Sequence, residues 1–392
     1  MRIALLTYST KPRGSVLHTL ELAEALHQLG HQVCVYALDK DGQGFDYPLS
    51  YEVELVLARS APAEIDSLIQ QRIHEFVAHL SQSNLNYDCY HAQDCISANA
   101  LAILVQQQKI PHFVRTVHHI EDYNSLYLRQ CQDRSIRAAK LCFCVSDRWQ
   151  IEIQQQYQIQ ALRVLNGVNL NRFSAAPNGS ESALKERWNL QGWPIYLTVG
   201  GIEPRKNSIR LLQAFHQVRS RSAEGTVSHY PNAQLIIAGG ATLFDYQAYR
   251  DEFFALAEQL EIEQALILPG VISDAELPTL YRCANAFVFP SVKEGWGLVV
   301  LEAIASGLPV ITANQAPFTE FLTRTQALLV DPTSESAIAQ AMQESVQVER
   351  SHSLVAESRS ILSRYTWEAS AKRHVHYYQQ LIDQSFTSLT HA

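Results

Sequence analysis

Two stretches of this chain repeat one arrangement: a short apolar run, a polar loop, a helix-length amphipathic segment and a second apolar run. The first reads RIALLTY, STKPRGS, VLHTLELAEALHQLG, HQVCVYAL. Leu17, Leu20 and Ala23, with Leu22 and Leu26 on adjoining turns, give the third piece an apolar helical face, and Gly30 supplies a stop. Further strands are expected in YEVELVLA, in the run from Asn86 toward His91, in HFVRTVH and in KLCFCVS, with helices over 64–80 and 95–108. The pattern restarts at residue 194: PIYLTVGG, a helix opened by EPRKNSIRLLQAFHQV, AQLIIAGG and a helix in DYQAYRDEFFALAEQLEI. ALILPG, a helix around ELPTLYRCA, NAFVFPS, a helix after Gly297 and LPVITAN follow. Such alternation calls for parallel sheets with helices on both faces. The expected fold class is α/β, with two doubly wound Rossmann-like halves. A Gly-, Ser- and Pro-bearing connection around 171–192, with NRFSAAPNGS as the linker, divides them. Ligands of open parallel sheets lie beyond the carboxyl ends of the strands, so each half is expected to hold one ligand at that edge.

A length of 392 residues suits two domains, and 47% hydrophobic with 18% charged residues is the balance of a folded chain. The formal charge of -8 argues against nonspecific nucleic-acid binding, which needs a cationic surface. No apolar stretch approaches the ~20 residues that cross a bilayer. In MRIALLTYSTKPRG the basic Lys11 and Arg13 follow the apolar run, the reverse of a secretory leader, so a cytoplasmic location is expected. No long basic amphipathic helix argues for firm membrane attachment, while peripheral contact through the first half stays open. The seven cysteines include no CxxC pair and no Cys/His cluster at zinc spacing. Core packing in a reducing compartment accounts for them.

Several residues could carry chemistry. Gly14, between the first strand and helix, would let a backbone approach a phosphate at a helix N-terminus. Asp39 closes the second strand where a ribose-binding acid can sit, but KPRGS lacks the GxGxxG fingerprint. DKDGQG reads as a possible divalent-cation site or as a solvated turn, and the turn is favoured. Arg205 and Lys206 open a helix just past VGG, as a diphosphate cradle or as an exposed basic pair. In EGWGLVVLEAIASGLPVI, Glu294 lies among turn residues and Glu302 within an apolar helix. Gly295 and Gly297 would bring the backbone of 295–298, including Trp296 and Leu298, close to a ligand. Glu294 could then reach a sugar and Glu302 a ribose diol, since a carboxylate offers two acceptor oxygens. His118 ends a strand at the ligand edge of the first half, where it or the adjacent His119 could act or simply pack.

Together these residues resemble the retaining, nucleotide-sugar-dependent GT-B glycosyltransferases of family 4. The resemblance spans nearly the whole chain and is carried most specifically by the E-x7-E signature, Glu294 to Glu302 in PSVKEGWGLVVLEAIASGLPVI. VGGIEPRKN, LRVLNGVNLNRF and RGSVLHTLELAEALHQLGHQV reinforce it. It implies an acceptor-side domain of residues 1–172 joined by the chain end, about 373–392, and a donor domain of 173–372. Lys206 is implied to bind the donor diphosphate, with Gly14 opposite it; Glu302 holds the ribose; Glu294 and the 295–298 backbone hold the transferred sugar and phosphates. Val271, in PGVISDAEL, matches a position lining the nucleobase, and Asn166-Gly167 a hinge-side motif. His118 matches a histidine that contacts the donor sugar near its reacting carbon. His118, Glu294 and Lys206 are thus the implied catalytic set.

One departure is pronounced. The family reads VGR where this chain reads Val199-Gly200-Gly201, so a diphosphate-binding arginine is absent, with Arg205 as its candidate replacement. Trp296 stands where phenylalanine is usual, expected to keep an aromatic wall. The resemblance implies sugar transfer with retention, without metal or other cofactor, to an acceptor met by first-half loops such as 116–127. Two other readings are a weakly active nucleotide-sugar binding protein and another GT-B reaction such as hydrolysis or epimerisation.

Overall fold

A computed structural model describes residues 1–46, 49–83, 85–220, 230–240 and 246–390, with only the backbone described for 384–390. Two compact units make up the chain, Met1–Gly167 with Tyr365–Ala392, and Val168–Arg364. Asp245, the expected start of one helix, and the last residues of the expected first domain, 391 and 392, lie outside the described residues.

The first unit runs β1 (Arg2–Thr7), α1 (Gly14–Gln28), β2 (Gln32–Asp39), β3 (Glu52–Leu57), α2 (Ile65–Gln82), β4 (Cys89–Ala92) and α3 (Cys95–Gln106). It continues β5 (Val114–Val117), α4 (Leu126–Arg137), β6 (Leu141–Cys144), α5 (Asp147–Tyr157) and β7 (Leu162–Arg163). The strands form one sheet in the order β3-β2-β1-β4-β5-β6-β7, parallel throughout, with Ile3 of β1 registered against Val33 on one side and Cys89 on the other. Central strands β1, β4 and β5 are buried almost throughout, as expected where helices cover both faces of the sheet, and β4 and β5 bury His91, Arg115 and Thr116 among their apolar residues. Edge strand β3 instead mixes exposed Glu52 with buried Val56. The order reverses between β1 and β4, and a sheet of this kind opens a crevice at the carboxyl ends of the strands flanking that point.

The second unit opens with α6 (Glu181–Arg187), then β8 (Ile195–Val199), α7 (Ser208–Arg219), β9 (Gln234–Ala238), α8 (Gln247–Gln259), β10 (Leu266–Gly270) and α9 (Leu277–Cys283). β11 (Ala286–Phe289), α10 (Leu298–Ala305), β12 (Val310–Ala313), β13 (Leu328–Val330), α11 (Glu335–Ser345) and α12 (Val348–Ser358) complete it. Its strand order is β10-β9-β8-β11-β12-β13, again parallel, reversing between β8 and β11. Tyr196, Phe215, Phe253 and Val288 anchor the core, all fully buried. The last helix, α13 (Trp367–Thr390), belongs to the first unit.

The connection expected over 171–192 is not wholly irregular, although its linker NRFSAAPNGS is. α6 follows at once, buries Leu184 and ties Glu181 Oε1 to Arg282 Nε of α9 at 2.6 Å. The units divide at 167/168 and 364/365, whereas 172 and 373 stand in the sequence reading. A Cβ at Gly167 would lie 2.3 Å from the Trp367 backbone nitrogen, so the two chain passages meet within the first unit.

Candidate active site

At the reversal point of the second sheet, two loops bring the predicted donor-side residues together. After β8 the chain passes Gly200 and Gly201 and forms a single 3-10 turn, Pro204–Lys206, ended by Asn207 in the left-handed region at φ 61°. Asparagine tolerates that conformation, and its amide donates to the carbonyls of Pro290 (3.1 Å) and Pro332 (2.7 Å). After β11 comes the loop 290–297. Val292 N–H donates to the Arg205 carbonyl at 2.9 Å, and the single Ser291 hydroxyl proton is shared between that carbonyl and Glu294 Oε1, each 2.7 Å away, so the loops are stitched side by side.

Glu294 is the centre of this arrangement. Its Oε1 accepts from Lys206 Nζ at 2.6 Å, from Ser291 Oγ at 2.7 Å and from Arg205 at 3.2 Å. Arg205 also donates Nε–H to Oε2 of buried Glu203 at 2.9 Å. Lys206 Nζ lies 4.5 Å over the Phe289 ring, a cation–π contact. Burial pushes the Lys206 ammonium below its ordinary value, opposed by Glu294. Burial alone would raise the Glu294 carboxyl, but the charges of Lys206 and Arg205 and the hydrogen bonds from Lys206 and Ser291 outweigh it and hold it below the carboxylate range. Two cations therefore share one carboxylate oxygen.

At Gly201, where the family pattern has arginine, the backbone leaves no room for a side chain. A Cβ there would meet the Gly240 carbonyl oxygen at 2.5 Å, because the ends of β8 and β9 are packed backbone to backbone. The expected replacement, Arg205, stands with Lys206 on Glu294. Val271, just past β10, is 66% exposed, and its Cγ2 lies beside Gly240, where a Cβ would come within 2.5 Å of it.

Gly297, at φ 106°, turns the chain into α10 without a side-chain cap. The opening N–H groups of a helix are anion-binding groups, and Leu298 begins this one. The Trp296 side chain is 3% exposed and stacks on Phe321 at 4.6 Å, because a large apolar ring gains from burial in this core. Glu302 is buried on α10, its Oε2 accepting from the Tyr281 hydroxyl at 2.8 Å. Glu203, Ser291, Asn207 and Tyr281 escaped the sequence reading. Their only local signal was proximity to the motifs.

In the first unit Gly14 and His118 lie beyond the carboxyl ends of β1 and β5, of which only β1 flanks the reversal point. Gly14 opens α1, with nothing within 4 Å of a Cβ there. His118 follows β5, its Nε2 3.2 Å from Gln93 Oε1 and its ring edge-on to His18 at 4.8 Å. Burial first, then the neighbouring His18 and the Arg115 charge, hold it well below its ordinary value. The adjacent His119 is more exposed and pairs with Glu121 at 2.7 Å. Asn166 Oδ1 lies 2.7 Å from His18 Nδ1. The DKDGQG segment is a turn. The Asp39 oxygens accept from Gly42 N and Gly44 N, each at 3.1 Å, and Asp41 pairs with Lys11 at 2.7 Å. The cysteines are free, all buried save partly buried Cys95. Among the described residues, no helix is long and apolar enough to cross a membrane.

Comparison with known proteins adds an independent line. The profile described as "Glycosyl transferases group 1" matches residues 181–365, and "Glycosyltransferase Family 4" matches residues 12–172. The O-antigen chain mannosyltransferase B of Escherichia coli is 29% identical over 262 residues, covering 65% of this chain and 64% of its own length. The D-inositol 3-phosphate glycosyltransferase of Corynebacterium urealyticum is 25% identical, with 97% and 96% covered. Among solved structures, sucrose-phosphate synthase from Thermosynechococcus elongatus superposes with a TM-score of 0.78 at 22% identity, covering 98% of this chain and 99% of that one. Anabaena HepE, solved with UDP-glucose, superposes at 0.74 and 18% identity, with 99% and 100% covered. At these identities the two structures show the shared fold.

Proposed function

We propose that this chain, which belongs to glycosyltransferase family 4 and has the GT-B fold, moves a sugar from a nucleotide-diphosphate sugar to an acceptor with retention of anomeric configuration. The observation that carries the donor reading is the sharing of Glu294 by Arg205 and Lys206 at the reversal point of the second sheet, beside the opening turn of α10. In this reading the diphosphate competes with Glu294 for the two cations and takes the free N–H groups of α10. The bond between the anomeric carbon and the diphosphate oxygen breaks through an oxocarbenium-like state. Charge growing on the leaving phosphate is stabilised by Lys206, Arg205 and those N–H groups. The acceptor oxygen bonds to the anomeric carbon from the same face, and its proton passes to the departing phosphate oxygen. Neither a dedicated base nor a metal is required, and activity is expected to persist in chelator. Glu302 takes the ribose, Val271 the base, and His118 the donor sugar. Solution of HepE with UDP-glucose and the names of the sugar-transferring relatives support a nucleotide-sugar donor.

Melting temperature measured across UDP-, GDP- and ADP-sugars tests this, since a ligand that binds only the native state raises it. At least one series should stabilise the protein, and Glu302→Ala should weaken that series more than any acceptor. Lys206→Ala should slow turnover by roughly two orders of magnitude. No shift with any compound would remove the donor reading; binding without product across varied acceptors would leave a nucleotide-sugar binding protein; free sugar as sole product would mark a hydrolase.

A further inference from the structure

Gln93 lies one residue beyond β4, with its side chain fully buried. Its backbone N–H donates to the Leu6 carbonyl at 2.9 Å, fixing it where the first sheet reverses. Its carboxamide reaches two histidines. Nε2 lies 3.4 and 3.3 Å from Nδ1 and Nε2 of His91, and Oε1 lies 3.2 Å from His118 Nε2. The nitrogens of His91 have their own close partners, the Tyr378 hydroxyl on Nδ1 at 2.6 Å and Thr116 Oγ1 on Nε2 at 2.7 Å. The carboxamide turns its oxygen to His118, and an amide oxygen only accepts, so this contact is a hydrogen bond when the His118 proton sits on Nε2.

We propose that Gln93 is a positioning residue that sets the tautomer of His118: Oε1 accepts a hydrogen bond from Nε2–H and leaves Nδ1 as the ring's lone-pair acceptor for a substrate hydroxyl. A neutral imidazole carries one proton, so the partner at one nitrogen dictates the chemistry of the other. The titratable groups acting on His118 are His18 from α1, Arg115 from β5, His119 beside it and His91 from β4, none of which favours a second proton. The edge-on His18 ring limits rotation of His118 on its other side. The substrate half of this inference rests on the reading that His118 meets the donor sugar.

Long-range 1H–15N correlation on the full chain labelled with 15N-histidine reads the tautomer without substrate, with a His118→Asn spectrum to assign the signals. The wild type should show a protonated Nε2 and a bare Nδ1. Gln93→Glu keeps the acceptor and adds a charge, so it should raise the His118 titration midpoint by about one unit or more. Gln93→Leu should give a mixture of tautomers. A proton resident on Nδ1 in the wild type, or an unmoved midpoint in Gln93→Glu, overturns the proposal. Release of nucleotide diphosphate from UDP-glucose or GDP-mannose then separates the two halves: a His118→Ala chain with normal kcat would discard the sugar contact and leave the tautomer assignment standing.

Discussion

Gly201 links a departure from the family pattern to a backbone contact. Its missing side chain lets the ends of β8 and β9 touch, so restoring a larger residue does not simply restore a ligand. Gly201→Ala should cost about 1–3 kcal/mol in urea denaturation, since the atom 2.5 Å away is backbone carbonyl and cannot swing aside. Tyr281 tests a different kind of contact. Tyr281→Phe should cost about 1.5–3 kcal/mol, because it removes a hydrogen bond to the carboxylate of Glu302 in a buried setting. The E-x7-E spacing was readable in the sequence, whereas the tyrosine on α9 that holds its second glutamate was not; a contact twenty-one positions away leaves no local trace.

At the level of elements, the reversal points organise both sheets. α10 starts beside one of them, and its direction is set by Gly297, whose φ of 106° only glycine adopts readily. A Cβ there would also meet Phe318 Cε1 at 2.8 Å. Gly297→Ala should therefore weaken the melting shift given by the nucleotide sugar more than it lowers the melting temperature of the ligand-free protein. An equal loss of both would assign Gly297 to stability alone. The long periodic helices and apolar strands were legible because each carries its own pattern. α6 was not, being seven residues long with one buried leucine, and β7, of two residues, offers no periodicity to read.

For the chain as a whole, the first unit is built from both ends of the sequence. His374 and Tyr378 of α13 are fully buried among His91 and Phe143, and Trp367 stands edge-on to His18. Burial lowers His18 to about 4, despite its bond to Asn166, and His374 to about 3. Both are neutral in the folded protein, and between about pH 6.5 and 4 the unfolded chain binds more protons than the folded one. Stability should thus fall with pH across that window by about 1.4 kcal/mol per unit for each group, and be insensitive to these two above it. Urea titrations at stepped pH should show the slope. His374→Gln should remove about half of the part due to this pair.

The sequence by itself determined the two doubly wound halves, the family, and the stretches in which a donor site must lie, because amphipathic period, strand composition and the E-x7-E spacing are local properties of the chain. Tertiary structure alone decided which atoms meet. It put Arg205 and Lys206 on one oxygen of Glu294, turned Trp296 into the core, closed position 201 to any side chain and set Gln93 between two histidines. Each outcome depends on distances between segments remote in sequence, fixed by sheet register and packing, and no local pattern encodes them.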